Sequence, residues 1–462
     1  MEGFTPSLES LRREVRDLTI SYIDRAWTAE TTDLEAAIRK VDRRVRETNA
    51  DSDNKTTITL EELSACVKKW LHAKSWIGAA DLGKLVLETC EALKGEQDSM
   101  TMTAMNNLAS ACWGRGQLNQ AAALAARVTK LRQKILGKAH PHTLASMSNL
   151  ASTYRSQGLW SDAQKLDEEI FKLKKNTMGP NHPSTLASMS NLAISYSHLG
   201  RYGEAESIAR QLVELGEREL PRTDRSLLNW KLSLASTYRD QGRLEAAEKL
   251  ELEIVAASRE VFGTNNPFTL TAMANLGSTY RGQGRWADAE RLEREVVAIS
   301  ERVLGETHPQ TLMSISNLAS TIRNQDRLKE AKKLGNKAMR VMREVLGERH
   351  PHTLVVMADL AVTYQLNKQT SHAESLAAQS LRLMEEVMGE DHPHTLSGMA
   401  NLGFIYQSQG KWDAAEGIAE TVYARWEKVA GKDHPETQSA LENLRRIAWV
   451  KAADQNAQRA TA

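Results

Sequence analysis

Six of the chain's twelve histidines stand directly before a proline, at His140, His182, His308, His350, His392 and His434. Imidazoles at recurring positions could ligate a metal or change charge near neutral pH. The register of the motif argues for a plainer role. The same column holds Asp98, Asp224, Asn266 and, at the front, Thr56. What these residues share with His is a short side-chain acceptor, the requirement of a helix N-cap, and proline suits the first helical position. Three of the motifs read His-Pro-His (His140/His142, His350/His352, His392/His394). Histidines two apart at a helix start are expected to diverge, so no metal site is expected from them.

Other chemistry-bearing patterns are equally regular. Asparagine recurs at Asn107, Asn149, Asn191, Asn275, Asn317, Asn401 and Asn443. An amide offers both a donor and an acceptor, which matches a peptide bond whatever its side chain. Six residues after Asn149, Asn275 and Asn317, and after Ser233 in the same register, stand Arg155, Arg281, Arg323 and Arg239, and guanidinium groups favour carboxylates or phosphates. Enzyme signatures are missing: no GxSxG, HExxH or GxGxxG occurs. Gly78–Lys84 (GAADLGK) mimics a phosphate loop, but Leu85 replaces the Ser/Thr, and Ala79 and Leu82 fall on the apolar side of a helical pattern.

The elements that carry these residues follow from self-similarity. NLASTY at Asn149 returns as NLAISY at Asn191, SLASTY at Ser233, NLGSTY at Asn275, NLASTI at Asn317, DLAVTY at Asp359 and NLGFIY at Asn401, always 42 residues apart. Such a register is the mark of stacked units that each meet the next in the same way. Within a unit, Leu144, Met147, Leu150, Ala151 and Tyr154 share one helix face. Gly158 supplies a turn, and Trp160, Ala163, Leu166, Ile170 and Leu173 form a second face. Alanine recurs at 79, 121, 163, 205, 247, 289, 331, 373 and 415, where two helix backbones must come close. Gly137, Gly179, Gly263, Gly305, Gly347, Gly389 and Gly431 read as helix C-caps.

The rest of the chain fits this reading. Hydrophobic residues make up 41% of 462, and Lys+Arg 60 against Asp+Glu 59 leaves a net charge of +1. That balance gives no global signature of nucleic-acid binding. Cys66, Cys90 and Cys112 form no CxxC pair and read as reduced, mostly buried thiols of an intracellular protein. The sequence begins without an apolar leader and has no membrane-length apolar run, so a soluble cytoplasmic protein is expected.

The columns Leu, Ala/Gly, Tyr, Gly and Ala, with an aromatic two residues after the Gly (Trp160, Tyr202, Trp286, Trp412), resemble tetratricopeptide repeats. The 42-residue period with LGxxHPxTL is similar to the kinesin-light-chain type. The resemblance implies an all-α solenoid, a right-handed superhelix of antiparallel helix pairs with the first helices on its concave face. The expected organisation is a degenerate helical cap over residues 1–55 and nine repeats over 56–433. A closing helix over 434–452 and a flexible tail over 453–462 complete it. Three units depart from the pattern. The unit at Ser233 replaces the His-Pro loop by LPRTDRSL, and Asp326 and Lys368 stand where other units have the turn glycine.

By the same resemblance the asparagine column would clamp the backbone of an extended peptide. The arginine column would meet acidic groups of that partner, and Ser148, Ser152, Ser190, Ser236, Ser278, Ser316 and Ser320 would keep the groove roomy. Each column also has a bland reading: the asparagines as residues that bond within the repeat to fix helix packing, and the arginines as a solvated basic face paired with Glu from neighbours. Trp113, Phe404 and Trp230 break the small-residue rule; they either form apolar sub-pockets or repack irregular units. His198 and Asp240 lie in groove columns suited to acid–base work, though the sequence does not show that they converge. The expected function is therefore a protein–protein interaction scaffold without cofactors, nucleic acid or membrane. The alternative is a cofactor-independent cyclase- or lyase-like enzyme, or a binder of a hydrophobic small molecule. The oligomeric state is left open.

Overall fold

The computed structural model describes residues 64, 65, 67, 68, 71 and 76–461, with side chains to 454. The expected cap over residues 1–55, Thr56 and Cys66 lie outside them. Among the described residues eighteen helices follow one another. They are α1 (Trp76–Lys94), α2 (Ser99–Gly114), α3 (Leu118–Leu136), α4 (Pro141–Ser156), α5 (Trp160–Met178) and α6 (Pro183–His198). Then come α7 (Tyr202–Glu219), α8 (Arg225–Asp240), α9 (Leu244–Phe262), α10 (Pro267–Gly282), α11 (Trp286–Leu304) and α12 (Pro309–Asn324). The last are α13 (Leu328–Val345), α14 (Pro351–Leu366), α15 (Thr370–Met388), α16 (Pro393–Ser408), α17 (Trp412–Ala430) and α18 (Pro435–Thr461). Even-numbered helices are the first of each pair and odd-numbered ones the second. GAADLGK lies inside α1 and not in a loop.

The caps explain where the helices begin. All six His-Pro histidines accept a hydrogen bond at Nδ1 from the backbone N–H two residues on, at 3.0–3.2 Å. Asp98, Asp224 and Asn266 do the same with a carboxylate or amide oxygen. The expected divergence of the His-Pro-His rings does not occur: their centroids are 5.2–5.3 Å apart. The cap folds its ring back over the first turn to reach that N–H, and this brings it beside the next imidazole. The threonine of the motif also has a role: Thr269, Thr353, Thr395 and Thr437 donate to the carbonyl of the glycine six residues before, which caps the preceding helix except at Gly347, where Leu346 is the cap.

The alanine column is buried throughout, from Ala79 to Ala415, each at most 1% exposed. An added methylene there would cost about 1–3 kcal/mol through overpacking. The turn between paired helices uses a positive φ: Gly158, Gly200, Gly242 and Gly284 take it, and so do Asp326 (φ 63°) and Lys368 (φ 59°). The degenerate units thus keep the turn at a conformational cost.

The chain forms two compact units that divide between Thr153 and Tyr154, inside α4. In the first, α1, α2 and α3 enclose a core of Val86, Met105, Leu108 and Val128. Cys90 and Cys112 belong to it, and burial pushes both thiols up to about 11.

In the second unit consecutive first helices approach one another directly: α6 with α8, α8 with α10, α12 with α14, and α14 with α16. The side on which like helices lie closest is the inside of the curve. The unit also closes on itself. Trp160 at the start of α5 packs with Leu396, Met399, Val422 and Trp426 of α16 and α17. The Trp160 ring centroid lies 5.9 Å from those of Trp426 and His434, and His434 stacks on Trp426 at 5.6 Å. The repeat that starts at His392 is six 42-residue steps beyond the one that starts at His140.

The last helix is longer than expected: α18 runs to Thr461 through the stretch expected to be a flexible tail. Its sequence there is rich in helix formers. Asp454 accepts from the Trp412 indole N–H at 3.2 Å, and Lys451 bridges Asp413 and Glu416.

Candidate functional site

The inner stripe of the second unit is set by helix periodicity. On α6 it comprises Ala187, Ser190, Asn191, Ile194 and His198; on α8 it comprises Asn229, Leu232, Ser233, Ser236 and Asp240. Both sets line one cavity of about 910 Å³, together with Leu215, Gly216, Glu219 and Leu220 from the end of α7. The loop here is the irregular LPRTDRSL. It has no C-cap glycine; Leu220 ends α7 in an extended conformation and Asp224 starts α8.

Trp230 forms part of the cavity floor and is buried. Its column is small in most units, as at Ser146, Ser188, Ala272 and Ser314. The room comes from Gly216, whose equivalents are Arg132, Lys174, Ser258 and Met342. A Cβ on Gly216 would meet Leu227 Cδ1 at 2.9 Å and Trp230 Cζ3 at 3.0 Å. A large residue on the first helix and a small one on the second have exchanged places.

The asparagines fall into two groups. Asn191, Asn275 and Asn317 are half-buried, and their side-chain amides make no hydrogen bond among the described residues. The others are engaged or sequestered. Asn149 is exposed and donates to the Asn106 side chain at 3.1 Å; Asn107 is buried. Asn401 bonds to Asp359, the residue that replaces asparagine one unit earlier.

The arginine row expected to meet acidic groups of a partner meets acidic groups of its own chain. Arg155 bonds to Asp167, Arg239 to Glu251 at 2.9 Å, and Arg281 to Glu293 at 3.2 Å. Each acid sits twelve residues later on the paired second helix and is buried. Each also accepts a hydroxyl from the first helix of the next unit, from Ser195, Thr279 and Thr321 respectively, at 2.6–2.7 Å. Burial pushes all three carboxyls up, opposed by the guanidinium and the hydroxyl. Arg323 finds Gly335 at the acid's position and turns to the Asp359 carbonyl at 3.0 Å. Pairing with glutamates of neighbouring helices is the alternative that the sequence offered for this row; which acids would serve was not read from it, although an acid stands twelve residues after the Arg and a Ser/Thr a further 28 on.

Trp113 is 41% exposed and meets Trp76 edge-on at 6.4 Å, in the first unit. Phe404 lines a separate cavity of about 490 Å³ with Asn401, Asn443 and Arg446, between α16 and α18. His198 and Asp240 do share the large cavity. However, the His198 ring is stacked on Trp160 at 5.5 Å, and burial lowers its pKa; Asp240 accepts from Ser197 at 2.8 Å. Among the described residues no cluster of His, Cys, Asp or Glu is placed to hold a metal ion, and no helix is long and apolar enough to cross a membrane.

Helix pairs of constant length, stacked through a buried alanine column and capped by His-Pro, define an α-solenoid of the interaction-scaffold class. The tetratricopeptide repeat model matches residues 100–176, 142–218, 226–302 and 310–386, and a second tetratricopeptide repeat model matches 395–436. The chain belongs to the tetratricopeptide repeat family. No curated protein matches it. Among solved structures it is similar to the kinesin light chain nearly identical TPR-like repeats of Podosopora anserina. The identity is 26%, over 46% of this chain and 98% of that one, with a TM-score of 0.38. BtubC (BKLC) from P. vanneervenii matches at 18% identity over 50% of this chain and 92% of its own, TM-score 0.41. The quorum sensor NprR from B. thuringiensis matches at 16% over 79% and 99%, TM-score 0.48.

Proposed function

We propose that the chain is a non-catalytic adaptor that holds an extended peptide segment of a partner protein along the inner stripe of its second unit. The observation that carries this reading is the set of unengaged amides at Asn191, Asn275 and Asn317, in helices α6, α10 and α12, with the 910 Å³ cavity beginning at the first of them. An amide left without a partner on a concave surface can pair with a peptide backbone at little cost, since no internal bond must break. A preformed groove also limits the ordering cost of binding.

The test is selection of peptides from a displayed random library on the full chain. Selected peptides should bind the wild type and lose binding to the triple variant Asn191→Ala, Asn275→Ala, Asn317→Ala, whose helical circular dichroism and melting should not change. Equal binding by the triple variant removes the amide ladder.

A further inference from the structure

The cavity between α6 and α8 has a charge pattern that the groove reading leaves unused. Its charged lining residues are Glu219, Asp224 and Asp240, and no lysine or arginine lines it. None of the three carboxylates takes part in an ion pair among the described residues: Asp224 caps α8, and Asp240 accepts only from the Ser197 hydroxyl. This is unusual on a surface where Glu206, Glu248 and Glu290 each hold an arginine from the next unit. Three neighbouring cations are already committed, and Arg218, Arg222 and Arg225, next to these carboxylates in the sequence, are not among the lining residues. Arg239 is held by Glu251, Lys231 by Glu217 and Glu253, and Arg155 by Asp167. Burial lowers the pKa of His198, which also faces the cavity, against the pull of Asp240.

Besides these carboxylates the lining carries an apolar set, Leu186, Ile194, Leu215, Leu220 and Trp230, among the small polar side chains of the inner stripe. The carboxylates come from the end of α7, the start of α8 and the end of α8, and they do not converge as metal ligands do. A diffuse negative field over an apolar floor suits a cation on a long aliphatic stem, which can lay its methylenes on the floor and keep its head among the carboxylates.

We propose that this cavity is the specificity pocket for a lysine or arginine side chain of the bound segment. This rests on the peptide reading above, and it reverses the expectation of an acidic partner. An acidic side chain would bring like charge into the cavity, and a purely apolar one would leave the carboxylates without a counter-charge.

The experiment is display selection of a random dodecapeptide library on the full chain, with the triple asparagine variant as background. The expected result is enrichment of peptides with a lysine or arginine next to a bulky apolar residue. Their affinity should fall about tenfold, or 1.4 kcal/mol, in the double variant Glu219→Gln, Asp240→Asn. Replacing the peptide's basic residue by norleucine should abolish the difference between the two proteins. Both altered carboxylates are exposed, and an unchanged melting midpoint will confirm that the variant is folded. Enriched peptides that lack a basic residue, or that bind both proteins alike, overturn the pocket and leave the groove standing. No enrichment over the background overturns the groove itself, and the pocket with it.

Discussion

The His392 imidazole and the Ser156 carbonyl, 236 residues apart in the chain, meet at 3.0 Å. The Nδ1 of the same ring accepts from the His394 N–H, so Nε2 carries the proton and donates to Ser156. One neutral histidine therefore caps α16 and fastens the turn after α4 to it.

Burial, not that bond, makes the closure sensitive to acid: protonation would charge the buried ring and remove the Nδ1 acceptor, while Nε2 could still donate to Ser156. Burial pushes the His392 pKa down from 6.5 to about 4. In the unfolded chain the group takes up its proton near the ordinary value. Between these pH values the unfolded state binds more protons, so the stabilisation is complete above about pH 6.5 and is lost as the pH falls toward 4. The loss is about 3 kcal/mol for this one residue. Burial also depresses His198, His352, His394 and His434, with the same sign. His392→Asn keeps a capping side chain but removes the titration. Melting midpoints across pH 4–7 should show a shallower slope for the variant; an equally steep slope would mean that His392 does not hold the closure.

The turn glycines separate two effects that look alike in sequence. Gly200 and Gly242 have φ of 69° and 74°. A Cβ on Gly242 meets nothing within 4 Å, whereas one on Gly200 meets the His434 ring at 2.7 Å. Alanine at either position pays for the left-handed conformation, about 1–2 kcal/mol. Gly200→Ala adds overpacking of about 1–3 kcal/mol. It should melt clearly below Gly242→Ala and alter tryptophan fluorescence, because Trp160 and Trp426 flank His434. Equal melting temperatures would show that the contact carries no load.

These cases show what could be read in the chain beforehand. Caps, turns and the alanine column are local and repeat every 42 residues, so His308, Gly284 and Ala289 each announce their role. Closure depends on how many units complete a turn, and no periodic trace of that exists: Gly158 and Gly200 look like Gly242 and Gly284. The arginine row was visible, but its meaning lay in a second column. Asp167, Glu251 and Glu293 become relevant only once the paired helix folds back. The odd loop at LPRTDRSL was visible, and the cavity lies beside it. Trp230 stood out by its size, but the exchange of bulk with Gly216 that opens the cavity there involves two helices and shows only when they are paired.

The buried pair Arg239–Glu251 should be strongly asymmetric to mutation. The Glu251 side chain is 1% exposed and that of Arg239 is 21%. Arg239→Ala strands a buried carboxylate and should cost about 3–5 kcal/mol. Glu251→Ala leaves a guanidinium that can turn to water and should cost less. In Arg239→Ala, burial raises the Glu251 pKa without opposition from the guanidinium. A carboxyl with a raised folded pKa loses stability as pH rises from its unfolded value through the folded one. The deficit of Arg239→Ala relative to wild type should therefore narrow as the pH is lowered, as read by denaturant unfolding at several pH values. A deficit independent of pH would place the damage in packing and not in the stranded charge.

Gly216 and Trp230 should be coupled in a double-mutant cycle. Gly216→Ser restores the residue found at Ser258 and Ser300, but its Cβ presses on Leu227 and Trp230, and it should destabilise by about 1–3 kcal/mol. Trp230→Ser restores the small residue of its own column and leaves a void under Gly216, costing about 3–5 kcal/mol. The double variant returns both positions to the pattern of the regular units. It should be more stable than the sum of the single effects allows by at least about 1 kcal/mol, and it should remove the apolar floor that Trp230 supplies. Additive effects in chemical denaturation would show that the two sites do not share one space, and that the cavity at α6–α8 arises from the irregular loop alone.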